Sequence, residues 1–334
     1  MANTLRHYLS TEDLGAEDLR QVLELSKRIK LKGPREAFRG KSLGLIFLAR
    51  SLRTRVSFEV AMNQLGGHCI TLDPERDVYR HETLRETVMD GPAEEHVKDA
   101  ARTLSRYLDG IGIRLPQQRN SWEEDRSEAL LRGYAAHASV PIINLQSPLE
   151  HPCQALADVF TMQERCRSLK GRKLTLAWTQ NPSSPGPGIP HSLILLATRL
   201  GMDVTLSHPQ GFELDAEILS LAQRHAAESN RELRITHDLD EACEGAEFLY
   251  ARSWCSLSCY GDPDRETLLK RNLDNWKITQ AQLDHGNNAF LMQPLPVRRN
   301  LSVDDAVLDG PRSLAYDQAG NRLQVQKALL LHLL

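Results

Sequence analysis

Short runs of apolar and β-branched residues alternate along this chain with longer segments whose apolar residues recur at helical spacing. Four such runs in the first half predict strands: SLGLIFL (42–48), HCITLD (68–73), GIGIR (110–114) and PIINL (141–145). A segment able to form a helix separates each run from the next. Strands that alternate with helices are typical of a parallel sheet, so the first half predicts an α/β domain.

A second series of strand-like runs follows the helix predicted for EHPCQALADVFTMQERC. Its members are KLTLAW (173–178), DVTLSH (203–208), LRITH (233–237), EFLYAR (247–252) and FLMQPL (290–295). We therefore expect an α/β fold of two doubly wound parallel-sheet domains, 1–150 and 151–316, and an amphipathic C-terminal helix over 317–334. The loop NPSSPGPGIP (181–190) is too rich in proline and glycine for regular structure. Such a loop inside a compact domain is more often functional or topologically special than idle.

Composition and charge narrow the class of protein. The 334 residues are 41% hydrophobic and 25% charged, which is typical of a globular protein long enough for two domains. A net charge of −3 gives no reason to expect a nucleic-acid or membrane partner, so any anion site must be local. The start MANTLRHYLS lacks the apolar core of a signal peptide, and Arg199 interrupts the apolar run HSLILLATRLGM. We expect a cytoplasmic protein.

The six cysteines are scattered along the chain without any CxxC pair. This low density predicts reduced thiols, with neither a disulfide framework nor a zinc site.

The segment ARSLRTRVSFE (49–59) places three arginines and three hydroxyls within nine positions, between a predicted strand and a predicted helix. The unpaired N–H groups and the positive end of a helix favour an anion there. A guanidinium suits phosphate oxygens, but its positive charge is unfavourable near the positive end of the helix dipole. Several arginines at this position therefore indicate a bound anion that offsets their charge. Ser51, Arg53, Thr54 and Arg55 therefore predict a phosphate site, and the alternative is a solvated basic helix start.

SLRTRVSFE resembles the Ser-x-Arg-Thr-Arg phosphate loop of the aspartate and ornithine carbamoyltransferases, and the resemblance continues through nearly the whole chain. HPCQALAD (151–158) is similar to their His-Pro-x-Gln signature, QPLPVRRN (293–300) to their Leu-Pro-x-Arg segment, and GNRLQVQKA (320–328) to their last helix. Within the family, residues 88–114, the proline-rich loop and RRNLSVDDAVLD (298–309) are most similar to the N-acetylornithine and N-succinylornithine carbamoyltransferases. That resemblance implies that the loop forms a trefoil knot and that the C-terminal helix returns to the first domain.

The resemblance also implies a site for carbamoyl phosphate. An amine that attacks this donor creates a tetrahedral centre with a developing oxyanion while phosphate departs, so fixed donors around both groups are the main requirement. The donor-site residues implied are Ser51, Leu52, Arg53, Thr54 and Arg322 for the phosphate, Thr54, Arg114 and His151 for the carbonyl oxygen, and Gln154 with the carbonyls of Pro294 and Leu295 for the NH₂ group. Of these, the catalytic set is Arg53, Thr54, Arg114, His151 and Gln154. No metal or organic cofactor is required, because the leaving phosphate can take the proton of the amine.

Each of these residues also has a purely structural interpretation. Taken alone, His151 before a proline fits a turn, and Arg114 at a strand end fits an ordinary ion pair. Gln154 at a helix start and Arg322 on a terminal helix are typical of solvated surface. The occurrence of all four residues in one sequence favours a carbamoyl-phosphate site.

The residues for the amine acceptor depart from both branches of the family. The implied acceptor-binding positions are Tyr79, Glu94, Arg252, Arg298 and Ser302. Glu94 stands where the acetylornithine enzymes carry a glutamate, although a glutamate in a first helical turn also complements the dipole. Tyr79 replaces a tryptophan, Arg252 and Ser302 replace lysines, and QPLP replaces His-Cys-Leu-Pro. The residues for carbamoyl phosphate thus match the family pattern, whereas several residues for the amine acceptor differ from it.

Three functions are compatible with these features. The first is transfer of a carbamoyl group to N-acetyl-L-ornithine in arginine synthesis, which gives N-acetyl-L-citrulline and phosphate. The second is the same chemistry on N-succinylornithine or another diamino acid in a specialised pathway. The third is a non-catalytic carbamoyl-phosphate-binding protein, which would be free to lose Arg53, Arg114, His151 or Gln154. A nucleotide enzyme is disfavoured because neither GxxxxGK[ST] nor GxGxxG precedes a helix. The resemblance implies a homotrimer in which the loop around Tyr79 and Glu94 reaches the neighbouring subunit.

Overall fold

The computed structural model describes residues 6–73 and 76–334. The chain forms two compact units. The first unit contains residues up to Gln118, Glu123–Cys153 and Arg322–Leu334, and the second contains Arg119–Trp122 and Gln154–Asn321.

The first half of the chain alternates strands with helices. A short 3₁₀ turn, Thr11–Asp13, precedes these elements: α1 Ala16–Lys32, β1 Ser42–Phe47, α2 Leu52–Gln64, β2 His68–Leu72, β3 His81–Glu82, β4 Glu95–His96, α3 Val97–Leu104, β5 Gly110–Arg114, α4 Trp122–Ser127, α5 Ala129–His137 and β6 Ile142–Gln146. The first sheet has the order β2-β1-β5-β6, and all its strand pairs are parallel. β3 and β4 form a separate parallel pair.

The two edges of this sheet differ in burial, because β6 is as buried as the central strands, next to an isolated bridge to Tyr8, and β2 is not. The central strands β1 and β5 are almost continuously buried, as expected of parallel strands covered by helices on both faces. The edge strand β2 alternates between exposed and half-buried residues. The hydrophobic core between β5, β6 and the helices α3 and α5 includes Ile111, Ile113, Leu131 and Tyr134. This core fixes the strand ends from which the site residues extend.

The second half repeats the alternation. Its elements are α6 Pro152–Gln163, β7 Lys173–Trp178, α7 Gly188–Arg199, β8 Asp203–Ser207, α8 Ala216–Glu228, β9 Leu233–Thr236, α9 Leu239–Cys243, β10 Phe248–Arg252, α10 Pro263–Leu269, α11 Gln280–His285, β11 Phe290–Met292, α12 Asp305–Leu308 and α13 Ala315–Leu333. A second 3₁₀ turn spans Leu257–Cys259. The second sheet has the order β11-β10-β7-β8-β9 and is also entirely parallel.

The helix α7 is buried along nearly its whole length, from Gly188 to Thr198. It follows β7 through the proline-rich loop. Its sequence is mostly apolar with the buried polar residues His191, Ser192 and Thr198, and it carries no charge before Arg199, which is typical of a helix enclosed by the protein. None of the helices in the described ranges is both long enough and apolar enough to cross a bilayer. The knot implied for residues 181–190 stays a prediction.

The predicted α/β class with parallel sheets is confirmed, and the boundaries of most strands agree within one or two residues. The strand predicted over 290–295 is wrong in its length, because β11 ends at Met292. Pro294 and Pro296 follow, and a proline has no N–H to donate to a sheet. The pair β3 and β4 was not predicted, since two residues are too few to show alternation.

Candidate active site

Three of the predicted site residues follow neighbouring strands of the first sheet. Thr54 comes after β1, Arg114 is the last residue of β5, and His151 comes after β6. These strands lie side by side in parallel, so their carboxyl ends meet at one edge of the sheet. In open α/β sheets this edge is where ligands bind.

The start of α2 is capped by its own sequence. Ser51 is the N-cap, and its hydroxyl accepts a hydrogen bond from the Thr54 N–H at 3.3 Å. Leu52 begins the helix and is exposed. The remaining N–H groups of this first turn and the positive end of the helix dipole favour an anion.

The two arginines of this first turn differ in their surroundings. Arg55 is exposed and donates to Glu59, one turn along the helix, at 3.1 Å. The expectation that Arg55 also faces the phosphate is therefore not supported. Arg53 is half-buried, and burial lowers the pKa of its guanidinium. No described residue forms a hydrogen bond or ion pair with the Arg53 guanidinium, so its charge is not compensated by the protein within residues 6–73 and 76–334.

Thr54 and Arg322 are joined although 268 residues separate them. A terminal nitrogen of Arg322 donates to the Thr54 hydroxyl at 2.5 Å, and both residues are buried. Because the Thr54 oxygen accepts from Arg322, its own O–H is directed to another acceptor. The interpretation of Arg322 as a surface arginine is wrong, since only 5% of it is exposed.

The loop that carries His151 is held by a chain of buried polar contacts. Ser147 donates to the Glu128 carboxylate and accepts from the Glu150 N–H at 3.0 Å. Glu150 in turn accepts from the N–H and the hydroxyl of Thr11, at 3.0 and 3.2 Å. His151 is 2% exposed. The loop therefore presents the imidazole on a fixed backbone rather than on a mobile turn.

Cys153 lies next to these residues in sequence but is not a nucleophile. Its thiol is buried and donates to the Asn144 carbonyl at 3.6 Å. Burial raises the pKa of the thiol to about 12, and the nearby charge of Arg322 offsets only part of this effect. A thiol in such a position remains protonated and unreactive.

In the second unit, Gln154 is fixed by a buried carboxylate. Its amide nitrogen donates to Asp158 Oδ1 at 2.8 Å, one helical turn further along α6. Only 3% of Gln154 is exposed, so the interpretation of a solvated helix start is wrong. Asp158 Oδ1 also accepts from the amide of Gln318 at 2.6 Å, and Oδ2 accepts from the Tyr250 hydroxyl at 2.8 Å. Burial and the Asp158 charge raise the pKa of Tyr250, so the phenol stays protonated and donates.

The segment after β11 carries the two carbonyls expected to take an NH₂ group. Pro294 is buried and Leu295 is half-buried, and the peptide between Leu295 and Pro296 is cis. The side chain of Gln293 donates to the Pro294 carbonyl at 3.0 Å, and the Gln293 N–H donates to the Gln318 side chain at the same distance. A carbonyl oxygen has two lone pairs, so Pro294 can accept one further hydrogen bond.

The predicted acceptor residues of the second unit have different environments. Arg299 is bound by Asp305 and Asp309 at 2.7 to 2.9 Å. Arg298 is exposed, and its guanidinium forms no hydrogen bond or ion pair with a described residue, although its backbone carbonyl accepts from the N–H groups of Leu301 and Ser302. Arg252 is the last residue of β10 and is half-buried. Ser302 is buried, and its hydroxyl donates to the Gln180 carbonyl at 2.6 Å. Arg298 is thus the side chain of this group with an uncommitted charge.

Tyr79 and Glu94 are brought together by the small sheet of the first unit. The Arg80 carbonyl accepts from the N–H of Glu94 at 3.0 Å, which places Tyr79 and Glu94 on adjoining segments. Both side chains are exposed. They are available to a ligand or to another subunit.

The Asp158 cluster was not predicted. The spacing of Gln154 and Asp158, four residues apart on a predicted helix, is a signal for a side-chain hydrogen bond. Nothing local indicates Gln318 or Tyr250, which lie 160 and 92 residues away from Asp158. Within the described residues, no cluster of at least three His, Cys, Asp or Glu side chains is arranged to hold a metal ion.

Two family models match the chain. The carbamoyl-P binding domain of aspartate/ornithine carbamoyltransferase matches residues 6–164, and the Asp/Orn binding domain of the same family matches residues 186–333.

Individual proteins are similar over nearly the full length. N-acetylornithine carbamoyltransferase of Xylella fastidiosa (strain 9a5c) is 38% identical over 98% of each chain. Ornithine carbamoyltransferase of Bacillus thuringiensis subsp. konkukian is 35% identical over 97% of this chain and 93% of its own. A crystal structure of acetylornithine transcarbamylase complexed with acetylcitrulline has a TM-score of 0.96 and 37% identity, and covers 99% of both chains. A mutant of N-acetyl-L-ornithine transcarbamylase complexed with carbamyl phosphate and N-succinyl-L-norvaline gives the same TM-score and identity, over 99% of this chain and 100% of its own.

Proposed function

This chain belongs to the aspartate/ornithine carbamoyltransferase family, and from that premise we propose that it carbamoylates N-acetyl-L-ornithine with carbamoyl phosphate. That it is a carbamoyltransferase follows from the family. We propose the identity of the acceptor amine, the roles of the individual residues and the oligomeric state. The products are N-acetyl-L-citrulline and phosphate, and the reaction serves arginine synthesis.

The observation that carries the proposed donor site is Arg53, which is half-buried and whose guanidinium has no partner among the described residues, next to the buried pair of Thr54 and Arg322. An arginine partly removed from water without a protein anion is stabilised by an anionic ligand. Phosphate at the start of α2 meets Arg53, the Thr54 hydroxyl and the free N–H groups of the first turn. Arg114 and His151, at the same edge of the sheet, then serve the carbonyl oxygen.

Every bond and proton in the proposed reaction is accounted for without a metal ion. The acceptor amine attacks the carbonyl carbon, a C–N bond forms, and the oxygen of the tetrahedral centre becomes negative. The bond between that carbon and the bridging phosphate oxygen then breaks, and the departing phosphate takes the proton of the amine. Thr54, Arg114 and His151 stabilise the oxyanion, because donors fixed in advance lower the energy of developing charge. Gln154 and the carbonyls of Pro294 and Leu295 orient the NH₂ group.

Two observations favour N-acetyl-L-ornithine as the acceptor: similar proteins are named N-acetylornithine carbamoyltransferase, and Glu94 is present in this chain. Arg298 is proposed to bind the acceptor carboxylate, since its guanidinium has no partner among the described residues. Ser302, whose hydroxyl is used by Gln180, offers less to an acyl group than the lysine it replaces. This difference is the observation that keeps N-succinylornithine or another diamino acid as a second candidate.

A panel of amines tests the acceptor. The protein is incubated with carbamoyl phosphate and, separately, with ornithine, N-acetylornithine, N-succinylornithine and other diamino acids, and ureido product and phosphate are measured together. We expect the highest kcat/KM with N-acetyl-L-ornithine. A higher kcat/KM for another amine would identify that amine as the acceptor. Phosphate release that no amine raises above background would contradict the proposed carbamoyl transfer.

Arg252 provides a second test of the acceptor site. Arg252→Lys restores the residue of the acetylornithine enzymes but changes reach and hydrogen-bond geometry. We expect this variant to change the order of preference among the amines, with little effect on the KM for carbamoyl phosphate. Equal changes in both would show that Arg252 does not belong to the acceptor site.

We also propose a homotrimer located in the cytoplasm. More than half of the exposed large apolar side chains in the described part of the chain fall between residues 52 and 89, among them Leu52, Val56, Leu84 and Val88. Apolar surface concentrated in this way supports a protein interface. The exposed Tyr79 lies in this region and Glu94 is joined to it through the Arg80 carbonyl, which supports their proposed contribution to the neighbouring subunit.

A further inference from the structure

We propose that Asp158 and Gln318 are positioning residues that hold the amide of Gln154 and the segment Gln293–Leu295 in the orientation required to recognise the carbamoyl NH₂ group. The inference rests on the proposed role of Gln154 and extends it. Asp158 and Gln318 themselves contact neither substrate.

The orientation of the Gln154 amide follows from the chemistry of its partner. Asp158 Oδ1 is 2.8 Å from the Gln154 amide nitrogen, and a carboxylate can only accept hydrogen bonds. The amide nitrogen must therefore face Asp158, and the amide oxygen faces the opposite way. An oxygen in that position accepts from an NH₂ group and offers nothing to a methyl group of the same size.

The same carboxylate also fixes the second part of the receptor. Gln318 donates to Asp158 Oδ1 at 2.6 Å, so its amide oxygen is directed away from Asp158. That oxygen accepts from the Gln293 N–H at 3.0 Å. Gln293 immediately precedes Pro294 and Leu295, whose carbonyls are the other proposed acceptors for the NH₂ group. One buried carboxylate thus sets the direction of a side-chain oxygen and the position of two main-chain oxygens.

Burial makes this arrangement specific. Asp158 and Gln318 are 0% exposed, and Gln154 and Gln293 are each 3% exposed. Water is not available to satisfy a reversed amide, so a flipped Gln154 or Gln318 would oppose like groups at a high cost. The Tyr250 hydroxyl, which donates to Asp158 Oδ2, is not part of the orientation of Gln154.

Discrimination between carbamoyl phosphate and acetyl phosphate tests the inference, because the two differ by NH₂ against CH₃. The KM for carbamoyl phosphate and the inhibition constant of acetyl phosphate are measured for wild type and for Gln154→Leu, Asp158→Leu, Asp158→Asn and Gln318→Leu. A site built around hydrogen-bond acceptors rejects the methyl analogue, and this preference is lost with the acceptors. Thr175→Val, which removes a buried hydroxyl bonded to the Ala242 carbonyl, serves as the control for lost stability.

We expect Asp158→Leu and Gln318→Leu to reduce the preference for carbamoyl phosphate by about tenfold, the effect of one hydrogen bond of about 1.4 kcal/mol. Asp158→Asn keeps most of the preference, because its amide oxygen can face Gln154 while its nitrogen faces Tyr250, whose hydroxyl can accept. Thr175→Val leaves the preference unchanged. If Gln318→Leu and folded Asp158→Leu keep the wild-type preference while Gln154→Leu loses it, the positioning role is wrong and the role of Gln154 stands. If Gln154→Leu keeps the preference, both are wrong.

Discussion

At the scale of single residues, two pairs of arginines close in sequence show how partners separate function from structure. Arg55 and Arg299 are bound to carboxylates, whereas the guanidinium groups of Arg53 and Arg298 have no partner among the described residues. A guanidinium that is already paired gains little from a ligand anion. The unpaired member of each pair is therefore the one assigned to a substrate.

Arg53→Ala should lower kcat/KM for carbamoyl phosphate by at least about a hundredfold, the usual effect of losing one preorganised donor to an anion. Steady-state phosphate release measures this value. Arg55→Ala is the matched control, since it removes the same side chain from the same helical turn, and it should retain nearly the wild-type rate. A nearly normal rate for Arg53→Ala would mean that the phosphate binds elsewhere.

Arg298→Ala should raise the KM for the amine acceptor roughly tenfold or more, because a charge-assisted hydrogen bond to the acceptor carboxylate is lost. The KM for carbamoyl phosphate should stay close to the wild-type value. Arg299→Ala is the control, since Asp305 and Asp309 already bind that guanidinium. Similar acceptor KM values for the two variants would contradict the assignment of Arg298.

The linear motifs made most of the proposed donor-site residues visible in the sequence, because Ser51, Arg53 and Thr54 lie in one segment whose chemistry can be recognised without a fold. The four-residue spacing of Arg55 and Glu59 on the predicted helix is a sequence signal for their ion pair. The half-burial of Arg53 has no such signal, because it depends on how α2 packs. Nor could the sequence show the Asp158 cluster, whose Gln318 comes from the far end of the chain.

At the scale of elements, the loop between β6 and α6 shows how a buried acid holds a site residue. Glu128, the N-cap of α5, accepts from Ser147 in that loop and from Arg132 at 3.0 Å. Burial raises the pKa of Glu128, and the hydrogen bonds and the charge of Arg132 offset only part of the effect. The loop that positions His151 therefore depends on a carboxyl group that burial makes harder to ionise.

This raised pKa predicts a pH dependence of stability. The folded state holds the Glu128 proton to a higher pH than the unfolded state, so folding binds protons and stability falls as pH rises above about 4.3. In urea unfolding between pH 4 and 7, we expect the stability of the wild type relative to Glu128→Gln to decrease as pH increases. Glu123→Gln, which removes an exposed carboxyl next to this region, controls for the change in net charge. A rise with pH would contradict the direction of the shift.

Strand positions were predictable because apolar runs of five or six residues bounded by polar turns leave few alternatives. The ends of the strands were less predictable where an apolar run continues past the last residue of the strand. β11 ends at Met292 because prolines follow, although the run extends to Leu295. The short strands β3 and β4 depend on the pairing of His81 with Glu95 and of Glu82 with His96, and two residues per strand are too few to show a pattern in the sequence.

At the scale of the whole molecule, each unit contains residues with one proposed role. The first unit contains the start of α2 that we propose to bind phosphate, with Arg114, His151 and Arg322, and the second contains the proposed amide and carbonyl acceptors and Arg298. In the proposed roles, hydrogen-bond donors, among them the charged Arg53, Arg114 and Arg322, serve the phosphate and the oxyanion, and neutral acceptors serve the NH₂ group. The exposed apolar residues between 52 and 89 belong to the first unit, which makes this unit the one proposed to form the trimer.

A charged substitution on α2 tests that assembly. Val56 is 50% exposed, and Val56→Asp should convert a trimer into monomers, because a buried and unpaired carboxylate at an interface is costly. Leu268→Asp is the matched control, since Leu268 is 55% exposed and lies on α10 of the second unit. Light scattering after size exclusion should give about three times the mass of one chain for the wild type and Leu268→Asp, and one chain for Val56→Asp. If Tyr79 and Glu94 serve a neighbouring subunit, the monomeric variant also loses acceptor turnover, whereas a fully active monomer would assign both residues to their own subunit.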